Sequence, residues 1–196
     1  MSYEVLTSGA IIRKFDPHGL CLESCEMIDQ PNSYHRKCLV IPENVKSQLR
    51  NFISSSDFKD AMRMMFDPLF ESFGSVIGFI TKNKANTNQT SVDVHSDDSD
   101  YTVNLSLNDE YVGGELVLHG YPDLLTPHMM KMARNLKNQI TEIKACKNQM
   151  VIHRGNHVHE VKKVRDGVRY NLILWCYVKK LPPISFSTDH SKLSVI

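Results

Sequence analysis

Hydrophobic positions change their period along this chain. Val45, Leu49, Phe52 and Ile53 fall at helical spacing after Pro42 and predict a short amphipathic helix. A second helical pattern follows at Phe58, Met62, Met65, Phe66, Leu69, Phe70 and Phe73, opened by a cap at Ser56 or Asp57 and closed by Gly74. Pro68 lies inside it and predicts a kink or restart, because proline lacks the N–H that a helix interior needs. From Ser75 the pattern turns to strands: "SVIGFIT", "YTVNLSL", "GELVLH", "QMVIH" and "VRYNLILWCYV" are rich in Val, Ile, Leu and aromatics. Upstream, "RKCLVIP" reads as one more short strand. The stretch "KNKANTNQTS" (82–91) reads as a polar loop. Residues 121–148 interrupt the strands as an insertion, with helical character around Pro127–Ile140, and "KKLPPISFSTDHSKLSVI" reads as an irregular extension.

The expected organisation is one domain over 1–196, mainly β with buttressing helices. Residues 1–74 form strand and helical support, 75–180 the β core with its insertion, and 181–196 a C-terminal extension. Its 196 residues are enough for one proper core. A net charge of +1 gives no electrostatic case for nucleic acid or an anionic membrane. No apolar run approaches the roughly 20 residues of a membrane span, and the N-terminus lacks the pattern of a signal peptide. Five cysteines without a CxxC pair predict free thiols in a reducing compartment, hence an intracellular and cytoplasmic protein. Cys21 and Cys25 lie four apart, but no second Cys/His pair has matching spacing for a zinc site.

Candidate chemistry sits in two places. In "DVHSDDSD", His95 and Asp97 are two apart, so in extended backbone both point to one side and can converge on a metal ion. In "HRGNHVHEVKKVRDGVRYNLILW", His157 and His159 share one face of an expected strand and compete to be the third ligand. Two histidines and one carboxylate leave open positions on Fe(II) for a co-substrate and O₂. Arg169 is the residue type that grips a carboxylate through two parallel hydrogen bonds. If Asp166–Gly167 closed a simple hairpin, His159 and Arg169 would face opposite ways. A shared pocket therefore requires a bulge, or two facing sheets about 10 Å apart. Thr102, Asn104 and Ser106 share a face opposite Val103, Leu105 and Leu107, and that polar face either lines a wet site or meets solvent. Trp175 shares the face of Arg169 and could wall the same pocket or be plain core.

His95-x-Asp97, "TVNLSLN", Gly113–Gly114–Glu115–Leu116, His159, Val164, Gly167, Arg169, Tyr170 and Trp175, in that order, resemble the Fe(II)/2-oxoglutarate dioxygenases of the prolyl-4-hydroxylase-like class. The last stretch is similar to an intracellular oxygenase-domain subgroup. The resemblance covers roughly residues 75–180. It implies a double-stranded β-helix, or jelly roll, with His159 and Arg169 on strands of different sheets. It implies His95, Asp97 and His159 as iron ligands, and Arg169 with Ser106, Asn104 and Trp175 around the co-substrate. The cofactors so implied are Fe(II), 2-oxoglutarate and O₂, with ascorbate as an accessory reductant. The reaction implied is hydroxylation of a C–H bond, foremost on a protein or peptide substrate, with release of succinate and CO₂. Where relatives often carry a pocket tyrosine on the strand before H-x-D, this chain offers Asn83 or Asn86. His157 then reads as a neighbour of the site and His153 as a core histidine bonded to backbone. Two other classes are weaker. A zinc hydrolase built on His153, His157 and His159 leaves His95, Asp97 and Arg169 unexplained and lacks an HExxH general base. A catalytically inert jelly roll that binds a partner would have no reason to keep all four residues.

Overall fold

The computed structural model describes residues 4–6, 8–30, 36–120, 140–144 and 146–179. Two helices and thirteen strands are found among them. The N-terminal strands are β1 (Glu4–Val5), β2 (Ile11–Lys14), β3 (Met27–Asp29) and β4 (Lys37–Leu39). Helices α1 (Glu43–Ser54) and α2 (Ser56–Met65) follow. Then come β5 (Ser75–Lys84), β6 (Val92–His95), β7 (Tyr101–Ser106), β8 (Tyr111–Gly113) and β9 (Leu116–His119). The last four are β10 (Ile140–Ile143), β11 (Gln149–Arg154), β12 (His159–Val161) and β13 (Val164–Tyr177).

The described strands form two sheets. The larger has the order β1-β2-β11-β7-β13-β5-β4-β3, with β8 added along β13, and the smaller has the order β10-β9-β12-β6. All pairings are antiparallel. One face of the large sheet is apolar: Val103, Leu105, Met150, Ile152, Leu172, Leu174 and Cys176 are buried in a cluster with Val45, Leu49, Phe58, Met62 and Met65 of the two helices. Full burial of a side chain such as Phe58 contributes about 1.5–3 kcal/mol, so this cluster anchors the helices. Beyond it, Val151 from the large sheet joins Leu116, Leu118, Ile143 and Val161 of the small sheet in a second cluster. The architecture is a double-stranded β-helix with helices covering its outer face.

Several local expectations are corrected. The second helix is capped by Ser55, whose side chain accepts from the Phe58 N–H, rather than by Ser56 or Asp57, which are already helical. It ends at Met65, three residues before Pro68, and does not reach Gly74. Lys82–Lys84 extend β5 instead of starting the polar loop, because they pair with Val168–Tyr170. Asp166–Gly167 is not a hairpin turn. Both residues pair with β8 inside β13, and Lys162–Lys163, bonded to Glu115 and Gly114, carry the chain on from β12 of the small sheet into β13 without reversing. The interruption over 121–148 is shorter than its sequence suggests. Ile140–Ile143 is a strand paired with Leu116–His119, and the rest of the expected helix around Pro127–Ile140 lies outside the described residues. The C-terminal extension over 181–196 also lies outside them. The five cysteines are free thiols, as expected from their number and spacing.

Candidate metal and co-substrate site

Antiparallel register decides which side chains meet between the sheets. On the large sheet His153 pairs with Thr102, Thr102 with Trp175 and Trp175 with Ile77. One step along, Ser106 pairs with Asn171 and Asn171 with Thr81, and Arg169 pairs with Asn83. Cross-strand partners share a face, so these residues all leave the side opposite the helical core. Thr102, Asn104 and Ser106 are buried there. The polar face of β7 is therefore interior, and its apolar face is core as well.

The small sheet supplies the metal-binding candidates. His95 ends β6 and is the Cα partner of His159 at the start of β12. Asp97 follows in the turn after β6, where its N–H donates to Gly155 O at 2.8 Å. That approach depends on Gly155: a Cβ there would meet Ser99 O at 1.8 Å, which no side chain tolerates. The ligand atoms of His95, Asp97 and His159 all lie within 4.8 Å of one another. Asp97 Oδ1 is 3.6 Å from His95 Nε2, and Oδ2 is 3.7 Å from His159 Nε2. Each imidazole is held by its other nitrogen. His95 Nδ1–H donates to Asp93 O at 2.8 Å and His159 Nδ1–H to His157 O at 2.7 Å. A carbonyl can only accept, so Nδ1 is the donor in each ring and Nε2 is the atom left facing the cluster as a ligand. Burial lowers the pKa of His159, against the raising effect of Asp97. Thr102 donates its hydroxyl to Asp97 Oδ2, and Ser99 Oγ lies 3.1 Å from Thr102 Oγ1.

His157 does not join the cluster. It lies before β12, is 1% exposed, and burial pushes its pKa down to about 4. His153 stands closer than its sequence context suggested. Its ring is 4.7 Å from that of His159, its Nδ1–H donates to Arg154 O at 2.8 Å, and Nε2 has no partner. Burial, then the neighbouring His159, hold it neutral.

Arg169 is 2% exposed on the interior face of β13. Among the described residues no carboxylate pairs with it, and its Nε has no hydrogen-bond partner. Burial lowers its pKa, offset in part by Tyr111 beside it. Asn171, two residues on, donates to Asn104 Oδ1 and lies 3.5 Å from Ser106 Oγ. Trp175 packs edge-on against Phe79, with ring centres 4.9 Å apart, on the same face. His159 and Arg169 thus lie on strands of different sheets, which removes the parity obstacle of a simple hairpin.

Two imidazole nitrogens and one carboxylate turned toward one another make the donor set that suits divalent iron with positions left open. Residues 82–177 match the family model of the 2OG-Fe(II) oxygenase superfamily. Over that stretch the chain resembles the 2OG-Fe(II) oxygenases. Among curated proteins it is 34% identical over 90 residues to the "2-oxoglutarate and iron-dependent oxygenase domain-containing protein CP2" of Arabidopsis thaliana, covering 42% of this chain and 20% of that protein. It is 32% identical over 81 residues to the "2-oxoglutarate and iron-dependent oxygenase domain-containing protein 2" of Xenopus tropicalis, covering 41% and 21%. The chain thus spans about a fifth of the length of these curated relatives. A solved oxidoreductase of the 2OG-Fe(II) oxygenase family from Burkholderia pseudomallei shares the fold, with a TM-score of 0.52 at 18% identity over 87% of this chain and 67% of that one. The match and the His95, Asp97 and His159 cluster imply Fe(II) as cofactor with 2-oxoglutarate and O₂ as co-substrates. Sequence reasoning had named Asn83 only as a substitute for a tyrosine and had passed over Tyr111. Neither carries a local signal, and only register brings them beside Arg169.

Proposed function

We propose that this chain is an Fe(II)- and 2-oxoglutarate-dependent hydroxylase acting on a C–H bond of a protein side chain. The observation that carries the reading is Arg169, a buried cation without a described anionic partner, on the face that also lines the His95, Asp97 and His159 cluster. A charge carried out of water needs a counter-charge, and a co-substrate carboxylate supplies one. When bound, Fe(II) with 2-oxoglutarate and O₂ supplies the oxidising power that puts one oxygen atom into a C–H bond and leaves succinate and CO₂. His95, Asp97 and His159 hold the metal through the Nε2 and carboxylate atoms that the Nδ1 hydrogen bonds turn inward. Thr102 fixes the Asp97 carboxylate. Arg169 orients the co-substrate by its far carboxylate, Ser106 and Asn104 give the interior its polar wall, and Trp175 closes it against water.

A protein or peptide substrate is the class supported by the sequence resemblance to prolyl-4-hydroxylase-like enzymes. No helix among the described residues is long and apolar enough to cross a membrane. The deciding experiment measures succinate from the Fe(II)-loaded protein with 2-oxoglutarate, with and without peptide pools, followed by mass spectrometry of the peptides. Succinate formation with a mass gain of one oxygen on a peptide residue is expected. Metal-loaded protein that neither binds nor consumes 2-oxoglutarate would overturn the reading.

A further inference from the structure

A cavity of about 280 Å³ opens on the helix side of the large sheet, the face opposite the metal-binding candidates. Met27 and Leu39 give it an apolar side, and Lys37, Lys82 and Lys84 stand around it. Strand register places the lysines. Cys38 pairs with Thr81 and Leu39 with Ile80, so one step further Lys37 comes opposite Lys82. Lys82 and Lys84 flank Asn83 on β5, and alternation turns them away from the interior that Asn83 faces. Like charges set opposite each other on neighbouring strands repel. Asp29 offsets only Lys37. Among the described residues no carboxylate pairs with Lys82 or Lys84, and the Lys82 ammonium lies 5.6 Å over the Tyr170 ring.

The loop after β5 forms a fixed wall. Gln89 accepts from the Lys37 N–H at 3.1 Å and donates to Lys37 O at 2.9 Å and to Lys82 O at 2.8 Å. The Thr87 hydroxyl donates to Lys84 O at 2.8 Å, and the Lys84 N–H donates to Gln89 O at 3.0 Å. The cavity is therefore preformed, and a ligand need not order the loop to bind. Beside it, β3 is the last strand of its sheet among those described. Glu26 O and Gln30 N bond to β4, which turns the backbone groups of Met27 and Asp29 to the open edge. Such an edge accepts an extended peptide.

We propose that this cavity docks an acidic, partly apolar segment of a peptide chain, and that the chain is the protein substrate, a step that rests on the hydroxylase function proposed above. Carboxylates complement three ammonium groups set against the single Asp29. An apolar side chain of the same segment covers Met27, which is 55% exposed, and Leu39. Gln89 in the wall and His95 in the metal cluster are six residues apart (95 − 89). Extended backbone spans at most roughly 3.6 Å per residue, so the two lie within about 20 Å of each other. A substrate held here reaches the metal site with a residue roughly six or more positions from its acidic segment.

The test is fluorescence anisotropy of a labelled peptide of Glu and Leu residues, compared with the same peptide carrying Gln for Glu. Wild type should prefer the Glu peptide by about tenfold or more, and added salt should shrink the preference. The double variant Lys82→Glu, Lys84→Glu should lose the preference and keep wild-type Mn(II) affinity, since the metal candidates face the other side of the sheet. Lys84→Gln, a milder change at an exposed side chain, should reduce the preference without loss of fold. In NMR spectra of wild type, the Glu peptide should move the amides of Lys37, Lys82 and Gln89. Equal affinity for both peptides, shifts at His95 and His159 instead, or displacement by inorganic phosphate as readily as by unlabelled Glu peptide would overturn the docking while leaving the proposed function intact. In the peptide-pool assay above, the double variant should lose oxidised acidic peptides and keep the others. Docking that holds while wild type oxidises no peptide overturns the hydroxylase function, and with it the docked chain as substrate.

Discussion

Replacing Arg169 with methionine should make the ligand-free protein more stable while removing its co-substrate. Arg169 is 2% exposed, burial already lowers its pKa, and no described carboxylate offsets its charge. Exchanging buried ionic groups for apolar side chains of similar volume stabilises other folds by roughly 1–4 kcal/mol. Methionine is flexible enough to fill the space that the arginine stem leaves. For a domain of this length each kcal/mol moves the melting temperature by about 2–4 °C, so Arg169→Met should melt at least about 2 °C higher than wild type. The assay is thermal and urea unfolding of metal-free protein, repeated with Mn(II) and saturating 2-oxoglutarate. Wild type should then gain about 2.7 kcal/mol at a hundredfold excess over Kd, and the variant should gain only the part due to metal. A ligand-free Arg169→Met protein that is less stable by 2 kcal/mol or more would refute the reasoning. It would mean that the fold itself holds a counter-charge for the guanidinium, and that the arginine is structural.

Other consequences follow from the same geometry. His159→Ala should abolish Mn(II) binding in equilibrium dialysis, whereas His157→Ala should leave it largely intact, since only His159 joins His95 and Asp97 in the cluster; the reverse result would reassign the ligand. Thr102→Val, which removes the hydroxyl bonded to Asp97, should weaken Mn(II) binding by about tenfold, with Thr102→Ser restoring most of it. Stability should fall as pH drops. His157 is held at about 4 in the fold against an ordinary 6.5, so the unfolded chain takes up the proton first. Its contribution is fully present above pH 6.5 and shrinks by roughly 3 kcal/mol as pH falls to about 4. Urea titrations of metal-free wild type and His157→Gln across that window should show a shallower slope for the variant. Gly155→Ala should destabilise the protein and weaken Mn(II) binding together, because its Cβ would displace the Ser99 carbonyl in the turn that carries Asp97.

The sequence by itself determined the elements and the faces. The alternation of Thr102, Asn104 and Ser106 with Val103 and Leu105 made β7 a strand with one polar side, and the spacing of Val45, Leu49 and Ile53 made α1 amphipathic. These are period effects, written into neighbouring residues. His-x-Asp likewise put two donors on one side before any folding was considered. Tertiary structure decided what those faces meet. Burial of both sides of β7 comes from helices on one flank and the second sheet on the other, and nothing local announces the second layer. The Asp166–Gly167 pair reads as a turn, yet pairing with Tyr111 and Val112 carries the strand through it. Only the assignment of β12 and β13 to different sheets brings His159 and Arg169 to one interior. His153, Asn83 and Tyr111 come beside the site through cross-strand register, a relation that for Asn83 and Arg169 spans 86 positions of the chain (169 − 83). Side-chain period is a local property of the backbone. Strand partnership is chosen by the burial and hydrogen bonding of the whole sheet, and that choice assembled the site.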